Sequence, residues 1–285
     1  MKSLVFAITG ANGQIGSFLT ENLRKNGHIV YELVRSPEKA KDKKYYRYFD
    51  LSTPDQMPSL FGIDVMIHSA HYFNTTDKDY EKINVLGAQK LFEQAKRDNL
   101  KYAIFISTIS AFPTAHSLYG RTKYQLEQLL QDENIAIVRP GLVFHQPLQG
   151  IIGTMDKFVV KYPVVPLIGK GDQLIYPCFL DELTKLILMI SVNQPIITKP
   201  IIAAAEQSVS FKQLIKYLAR QRQKKILLFP TSFNLIYSVL KTTELFGLSI
   251  GLRSDSLLGL QFSNNNIDFS ETRKLGFQFN GLRIQ

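Results

Sequence analysis

The sequence predicts an α/β fold in which a doubly wound parallel sheet carries helices on both faces and a smaller lobe follows toward the C-terminus. Two observations lead to this prediction. Short apolar runs rich in Val, Ile and Phe alternate with amphipathic stretches through the first 140 residues. A glycine-rich turn joins the first apolar run to the first amphipathic stretch at residues 9–16. Continuous apolar runs of this length are typical of parallel strands buried on both faces.

The predicted strands are short and β-branched, and the predicted helices repeat apolar residues at helical spacing. The strands are predicted over Leu4–Ile8, His28–Val34, Val65–Ser69, Ala103–Ser107 and Ile135–Val138. The helices are predicted over Ile15–Lys25, Asp79–Asp98 and Tyr119–Gln131. Asn26-Gly27 is a suitable C-cap for the first helix. On the third helix, Tyr119, Leu126, Leu129 and Leu130 are predicted to lie on one apolar stripe.

The pattern changes after Gly141, where Pro, Gly and aromatic residues become frequent and loops with short elements are predicted. Later elements are predicted as helices over Asp181–Val192, Phe211–Gln221 and Thr231–Phe246, and as strands over Pro200–Ala204 and Lys225–Phe229. We therefore expect a sheet domain from residues 1–140 with about 176–205, and a lobe from about 141–175 and 206–285. The aromatic residues Phe229, Phe233, Tyr237 and Phe246 are expected in a core or at the lobe interface.

The amino-acid composition limits the classes of ligand and the cellular location that are expected. The formal net charge is +10, but the basic residues are scattered and accompany no motif that reads nucleic-acid grooves. A phosphorylated ligand is therefore preferred over nucleic acid as the partner. One cysteine, Cys178, excludes an intrachain disulfide and suits a reducing compartment. The first apolar run is too short for a signal peptide or a membrane span, so a cytoplasmic protein is expected, and the histidine spacing predicts no metal site.

Residues Thr9 to Gly16 have the pattern T-G-x-x-G-x-x-G between a strand and a helix. Gly10 allows a sharp turn, Gly13 allows close approach of a pyrophosphate, and Gly16 allows the helix to pack on the sheet. Free N–H groups at the helix N-terminus suit phosphates. An ordinary turn is the alternative, but its position favours a dinucleotide site on a Rossmann-type fold. The residues expected at the cofactor are Gly10, Asn12, Gly13, Gln14 and Ile15.

The end of the second predicted strand favours NADP over NAD. NAD binders often carry an acidic residue about 20 residues past the glycines, but Val34 stands there and Glu32 comes two residues too early. Arg35 can instead meet a 2′-phosphate, and Ser36 can donate a hydrogen bond to it. A solvated basic loop is the alternative.

Asp50 and Leu51 follow two aromatic residues and are candidates for contact with the adenine ring. The carboxylate of Asp50 would accept from the adenine amino group, and Leu51 would lie against the ring. A turn or N-cap role for Asp50 is the alternative.

Tyr119 and Lys123 are one helical turn apart, and Ser107-Thr108 end a predicted strand eleven residues before Tyr119. A lysine cation nearby would favour the phenolate of a tyrosine whose ordinary pKa is about 10. Such a tyrosine can act as a general acid or base, and a hydroxyl from Thr108 or Ser107 would orient the substrate oxygen. Lys123 would also hold the nicotinamide ribose.

With these motifs the chain resembles the short-chain dehydrogenase/reductase superfamily, in its extended branch of NAD(P)-dependent epimerases, dehydratases and reductases. The resemblance implies that Tyr119 is the catalytic acid/base, Lys123 its partner, and Thr108 the catalytic hydroxyl. It also implies that Ala70 lines the cofactor cleft and that Pro140, Gly141 and Val143 approach the nicotinamide. The matching segments are Thr9–Gly16, Asp50-Leu51, His68–Ala70, Asn84–Gly87, Ile106–Thr108, Tyr119–Lys123, Arg139–Gly141 and Phe179–Leu183.

Two departures leave the substrate open. The segment between Thr108 and Tyr119 is shorter than in typical sugar-nucleotide epimerases. Ile175 stands near the position where many UDP-sugar enzymes of this branch have an arginine for the diphosphate, with Arg253 as a substitute candidate. A nucleotide-sugar is therefore possible rather than implied. His71 and His145 follow expected cleft segments and are interpreted as ordinary polar loop residues.

The expected function is NAD(P)-dependent oxidoreduction or epimerisation of a small carbonyl, alcohol or sugar-nucleotide. The sequence does not decide between a reductase, which Arg35 favours, and an epimerase or dehydratase. The alternative is a non-catalytic NADP-sensing or assembly protein with the same fold. Related enzymes often dimerise through the second and third predicted helices, so a homodimer is left open.

Overall fold

The computed structural model describes residues 3–247 and 251–283. Its strands, in chain order, are β1 (Val5–Thr9), β2 (Ile29–Val34), β3 (Tyr46–Tyr48), β4 (Val65–His68), β5 (Tyr102–Ile106), β6 (Ile135–Pro140), β7 (Leu142–Phe144), β8 (Val164–Ile168), β9 (Leu174–Ile175), β10 (Pro177–Phe179), β11 (Ile201–Ala203), β12 (Val209–Ser210) and β13 (Leu227–Thr231). Its helices are α1 (Gln14–Lys25), α2 (Tyr80–Arg97), α3 (Leu118–Leu129), α4 (Gly150–Lys161), α5 (Leu180–Asn193), α6 (Phe211–Gln221), α7 (Phe233–Leu245), α8 (Ser254–Gln261) and α9 (Ser270–Lys274).

The central sheet runs β11-β6-β5-β4-β1-β2-β3, and its paired strands are parallel. Along β1 the side chains alternate between two cores. Phe6 and Ile8 join the core beneath α1 and α5, whereas Ala7 joins the core beneath α2 and α3. The predicted α/β class with helices on both faces is therefore confirmed.

The chain reverses its direction across the sheet between β1 and β4, which are neighbours. A crevice opens at such a switch point, outside the carboxyl ends of the strands, and ligands of open α/β sheets bind there. Thr9 and His68 end these two strands in register, and their side chains are 2.8 Å apart at Oγ1 and Nδ1. The glycine-rich turn leaves β1 at this point.

The turn after β1 has the geometry that its glycines predict. Gly10 has a φ of 65°, in the region that favours glycine. A Cβ on Gly16 would lie 2.2 Å from the carbonyl oxygen of Gly10, so α1 can start this close to the strand only without a side chain there. Asn26 is the C-cap of α1, as predicted, and Gly27 follows with a φ of 82°.

Several elements were not individually predicted from the sequence, among them β3, α4 and α8. β3 is only three residues long and lies at the sheet edge, where a periodic pattern has no length to develop. α4 occupies a segment predicted as loops, because Gly150 and Gly153 argued against a helix. Gly153 serves packing instead, since a Cβ there would lie 2.6 Å from the carbonyl oxygen of Leu148.

The lobe after β6 has its own core, formed by α4, α6, β8 and neighbouring strands. β8 and β13 form a separate parallel pair.

The prediction that Phe229 and Phe246 lie in a core or interface is wrong, because both rings are more than half exposed. Leu129 is also exposed, so the predicted apolar stripe of α3 is not buried at this residue. No helix in the described part of the chain has both the length and the apolar character to cross a bilayer.

A buried ionic network fixes α3 against the sheet. The Glu127 carboxylate on α3 accepts a hydrogen bond from Ser107, just after β5, and two from the Arg139 guanidinium on β6, one of them 2.9 Å from Nε to Oε1. Glu127 is almost fully buried and Arg139 is mostly buried. Ser107 is therefore engaged in holding α3, which leaves Thr108 as the candidate catalytic hydroxyl.

We expect Glu127→Ala to lower the free energy of unfolding by about 3–5 kcal/mol, because it leaves the Arg139 cation without its buried partner. Urea denaturation measures this change. The matched control is Glu93→Ala, which removes one partner of the half-exposed Lys90–Glu93 pair and should cost less than about 1 kcal/mol. Equal losses in the two variants would contradict the structural role of the network.

Candidate functional site

The turn at residues 10–16 can hold an anion. α1 begins at Gln14, and no side chain caps its N-terminus. A helix N-terminus of this kind offers N–H groups and positive potential to phosphates. Nε2 of Gln14 is buried, lacks a hydrogen-bond partner among the described residues, and belongs to a side chain that lines the main cavity. These features fit the pyrophosphate and nicotinamide ends of a dinucleotide.

Other predicted cofactor residues lie around this turn. Asn12 is exposed, and Ile15 is half-buried against the core beneath α1. Ala70 follows β4 directly beneath Gly10, where a Cβ on Gly10 would be 2.9 Å from the Ala70 backbone. The structure therefore brings the turn and Ala70, two residues after the end of β4, close together.

Asp50 and Leu51, the two residues expected at the adenine ring, have other contacts in the structure. The Asp50 carboxylate accepts hydrogen bonds from the Ser52 backbone N–H at 2.9 Å and from its hydroxyl at 2.8 Å, which is the turn role considered as the alternative. Leu51 is buried in the core beneath α2. A Cβ on Gly87 would lie 2.2 Å from the Leu51 carbonyl oxygen, so the close packing of α2 fixes this segment.

At the end of β2, Arg35 is exposed and Glu32 is not available to a ribose. The buried Glu32 carboxylate accepts from Arg24 at 2.8 Å and from the Lys41 backbone N–H at 3.0 Å. The Ser36 hydroxyl donates to the Glu38 carboxylate, so the hydrogen bond predicted from Ser36 to a 2′-phosphate is not free in this arrangement. Arg35 is thus the cation at this strand end that can meet a 2′-phosphate.

Thr108, Tyr119 and Lys123 come together at the carboxyl end of β5. Thr108 and Tyr119 line the main cavity. Lys123 is buried one turn further along α3, and its Nζ donates to the Ile106 carbonyl oxygen at 2.7 Å. The Thr108 Oγ1 accepts from the Ser110 backbone N–H at 3.2 Å, so its own proton remains free to donate.

The electrostatics of Tyr119 differ from the expectation. Burial raises the pKa of Tyr119 to about 12, and the nearby Thr108 hydroxyl acts in the opposite direction. Burial lowers the pKa of Lys123 to about 7, although the Glu127 carboxylate partly opposes this shift. The expectation that Lys123, with the oxidised cofactor, favours the phenolate stays a prediction, since burial sets the direction of the shift here. Tyr119 is therefore protonated at neutral pH.

His71 lies against Tyr119 and is more than an ordinary loop residue. Its ring is perpendicular to the Tyr119 ring, with centroids 4.9 Å apart, and its Nε2 is 2.7 Å from the Tyr80 hydroxyl. Burial holds the pKa of His71 well below its usual range, so the ring is neutral. The position of His71, one residue after the predicted cleft residue Ala70, was the signal available in the sequence.

Asp255 of α8 fixes the start of α3, the helix that carries Tyr119. Its buried carboxylate accepts from the backbone N–H groups of Leu118 at 2.6 Å and Tyr119 at 3.1 Å. Ser117 caps the same turn by accepting from Gly120 N–H at 3.0 Å. Sequence analysis missed Asp255 because it is separated from Tyr119 by 136 residues and belongs to no local motif.

A cavity of about 770 Å³ connects these groups with the lobe. Gly141 and Val143, which follow the buried Pro140 at the end of β6, form part of its wall. A Cβ on Gly141 would lie 2.0 Å from the Tyr176 carbonyl oxygen, so glycine is required for the chain to pass between these strands. Ile175 also lines the cavity, and Arg253 lies at its edge with its guanidinium 5.6 Å from the Phe73 ring centroid.

Residues 6–139 match the model of the NAD dependent epimerase/dehydratase family. This match spans 134 residues of the chain, and over them the chain is similar to that family. The predicted resemblance to epimerases, dehydratases and reductases with NAD(P) as cofactor is thereby confirmed.

Two curated relatives and one solved structure are similar to this chain. The chain is 26% identical over 194 residues to a ceramide reductase of Caulobacter vibrioides, covering 64% of this chain and 60% of the relative. It is 29% identical over 133 residues to the photosystem II assembly factor Ycf39 of Guillardia theta, covering 45% and 42%. The UDP-glucose 4-epimerase of Thermotoga maritima, solved with UDP-glucose, is 17% identical, has a TM-score of 0.73, and shares the fold over 96% of this chain and 93% of its own.

We expect the wild-type protein to gain stability relative to Lys123→Met as the pH rises from about 7. The folded-state pKa of Lys123 lies below its ordinary value of 10.5, so between these values the unfolded chain binds more protons. The difference in free energy of unfolding should rise by up to about 1.4 kcal/mol per pH unit. Urea denaturation at pH 7, 8 and 9 measures it.

The matched control is Lys101→Met, which replaces an exposed lysine. Its stability relative to the wild type should not change over the same pH range. A constant difference between wild type and Lys123→Met would show that Lys123 keeps its proton in the folded state.

Proposed function

We propose that the protein transfers a hydride between NAD(P) and a carbonyl or alcohol carbon, with Tyr119 as the acid/base. One observation carries the proposal. Thr108, Tyr119 and the Gly141–Val143 segment line one cavity, which also reaches Gln14 at the dinucleotide turn. A reacting carbon in this cavity would therefore meet the proton-transfer groups and the cofactor together.

Each residue has a role that follows from its surroundings. The nicotinamide, when bound, supplies or accepts the hydride. Tyr119 donates its proton to the substrate oxygen in the reductive direction and accepts one in the oxidative direction. Thr108 donates a hydrogen bond to the same oxygen without giving up its proton, and Lys123 holds the nicotinamide ribose.

The proposed cofactor contacts follow the sequence prediction. The backbone from Gly10 to Ile15 holds the pyrophosphate, and Ala70 lines the cleft. Pro140, Gly141 and Val143 approach the nicotinamide. Arg35 meets the 2′-phosphate, since Glu32 is engaged with Arg24 and lies in the sheet. NADP is accordingly the preferred cofactor.

Reduction is favoured over epimerisation or dehydration. The exposed Arg35 at the end of β2 suits NADPH, the cofactor that reductases use as hydride donor. The similarity to a ceramide reductase supports this direction. The similarity to an assembly factor supports the alternative of a non-catalytic protein. The joint presence of Thr108, Tyr119 and Lys123 at one cavity argues for catalysis.

We expect Tyr119→Phe to lower kcat for NADPH-dependent reduction of aldehydes and ketones by about 100-fold or more, because the general acid is removed. The oxidation of NADPH is followed by absorbance across a panel of carbonyl compounds. Tyr124→Phe on the same helix, away from the cavity lining, is the control and should retain wild-type activity. NADPH should still raise the thermal stability of Tyr119→Phe. A variant as active as the wild type would exclude the assigned role.

We expect NADPH and NADP to stabilise the protein more than NADH and NAD do. A ligand at 100 times its Kd adds about 2.7 kcal/mol if it binds only the folded state. Arg35→Ala should weaken NADPH binding about tenfold or more, through loss of a charge-assisted hydrogen bond, and leave NADH binding unchanged. Arg97→Ala, an exposed arginine on α2, is the control. Equal stabilisation by all four nucleotides would contradict the preference for NADP.

A further inference from the structure

The main cavity continues from Tyr119 deep into the lobe, and its lining there is aliphatic and aromatic. Residues from four elements of the lobe, namely α4, β8, α6 and α7, form this part of the wall. They include Ile152, Met155, Phe158, Val165, Ile215 and Leu240. Several of them belong to the hydrophobic core of the lobe, so the cavity lies inside that core.

Charged groups are scarce in the lining. Among the described residues that line the cavity, the charged side chains are Arg253 and Asp255. The two oxygens of Asp255 are already occupied by the N–H groups at the start of α3. A nucleoside diphosphate would bring two phosphates to one arginine in an apolar space. Removing them from water would cost more than a single cation recovers.

The cavity also has an apolar rim, which consists of Ile151, Leu235 and Val239. These side chains line the cavity and are 39%, 59% and 52% exposed. Exposed aliphatic residues that continue into an apolar cavity are typical of a binding groove for an apolar ligand. Ile151 belongs to α4 and the other two to α7, so the rim lies between these helices.

We infer that the substrate carries a long aliphatic chain, with its carbonyl or hydroxyl carbon at Tyr119 and Thr108. The chain lies against the apolar wall of the lobe and enters between α4 and α7, past Leu235. Its burial supplies the binding free energy, because removal of methylene groups from water is favourable. The assignment of the reacting carbon rests on the proposed function, whereas the binding of the chain does not.

A series of straight-chain 1-alkanols with four, six, eight and ten carbons tests the chain site. Isothermal titration calorimetry with the wild-type protein, without nucleotide and again with NADPH, gives each Kd. An alcohol is not reduced by NADPH, so binding is measured without turnover. The affinity should rise about fourfold for each added methylene. UDP-glucose should show no heat of binding. A Kd that is independent of chain length, no alkanol binding, or UDP-glucose binding in the same range would overturn the inference.

The route past the rim is tested with two exposed leucines of α7. Leu235→Asp places a carboxylate on the path of the chain and should weaken decanol binding about tenfold or more. Leu245→Asp is the control, since Leu245 is 84% exposed and does not line the cavity. Its decanol affinity should stay within about twofold of the wild type. Equal losses in both variants would show binding to the α7 surface rather than in the cavity, and would overturn the inference.

These results separate this inference from the proposed function. Alkanol binding with the expected chain-length dependence supports the chain site even if no carbonyl compound is reduced. Reduction of short carbonyl compounds without chain-length dependence in binding supports the proposed function and overturns the aliphatic substrate.

Discussion

The placement of Tyr119 depends on the carboxylates that hold α3. Asp255 accepts the two N–H groups at the start of the helix, and Glu127 ties its last turns to Ser107 and Arg139. Negative charge at a helix N-terminus is favourable because it meets the positive end of the helix dipole. One of these anchors comes from the sheet domain and the other from the lobe. Contacts from the central sheet and from α8 thus both position α3.

The position of Asp255 depends in turn on a contact between α7 and α8. Glu244 of α7 accepts hydrogen bonds from Ser254 N–H at 2.7 Å and from its hydroxyl at 2.8 Å, which fixes the start of α8. α8 carries Asp255 to α3 and also contributes Leu257 and Leu260 to the cavity wall. The elements that line the cavity are therefore the same ones that fix the start of α3. A displacement of α7 would therefore shift the N-terminus of α8 through Glu244, and the N-terminus of α3 with Tyr119 through Asp255.

The sequence predicts the features that local patterns encode. The glycine turn, the buried strands and the Tyr119–Lys123 spacing each occupy a few consecutive residues, so the α/β class and the cofactor family could be predicted. Features that depend on distant contacts could not. Asp255 meets α3 from the other end of the chain, and the raised pKa of Tyr119 results from burial that spacing does not reveal. The aromatic residues Phe229 and Phe246 were misassigned because hydrophobicity alone does not distinguish a core from an exposed apolar surface.

The cavity within the lobe also has a consequence for packing. Protein interiors are close-packed, and an atom that faces a void lacks the dispersion contacts that a neighbour would provide. Side chains of α4, α6 and β8 that line the cavity also form the core that holds these elements together. A bound aliphatic chain would complete this core as an additional hydrophobic residue would. Ligand binding and the packing of the lobe would then depend on the same contacts. The lobe with a bound ligand would therefore be more rigid than the lobe without one.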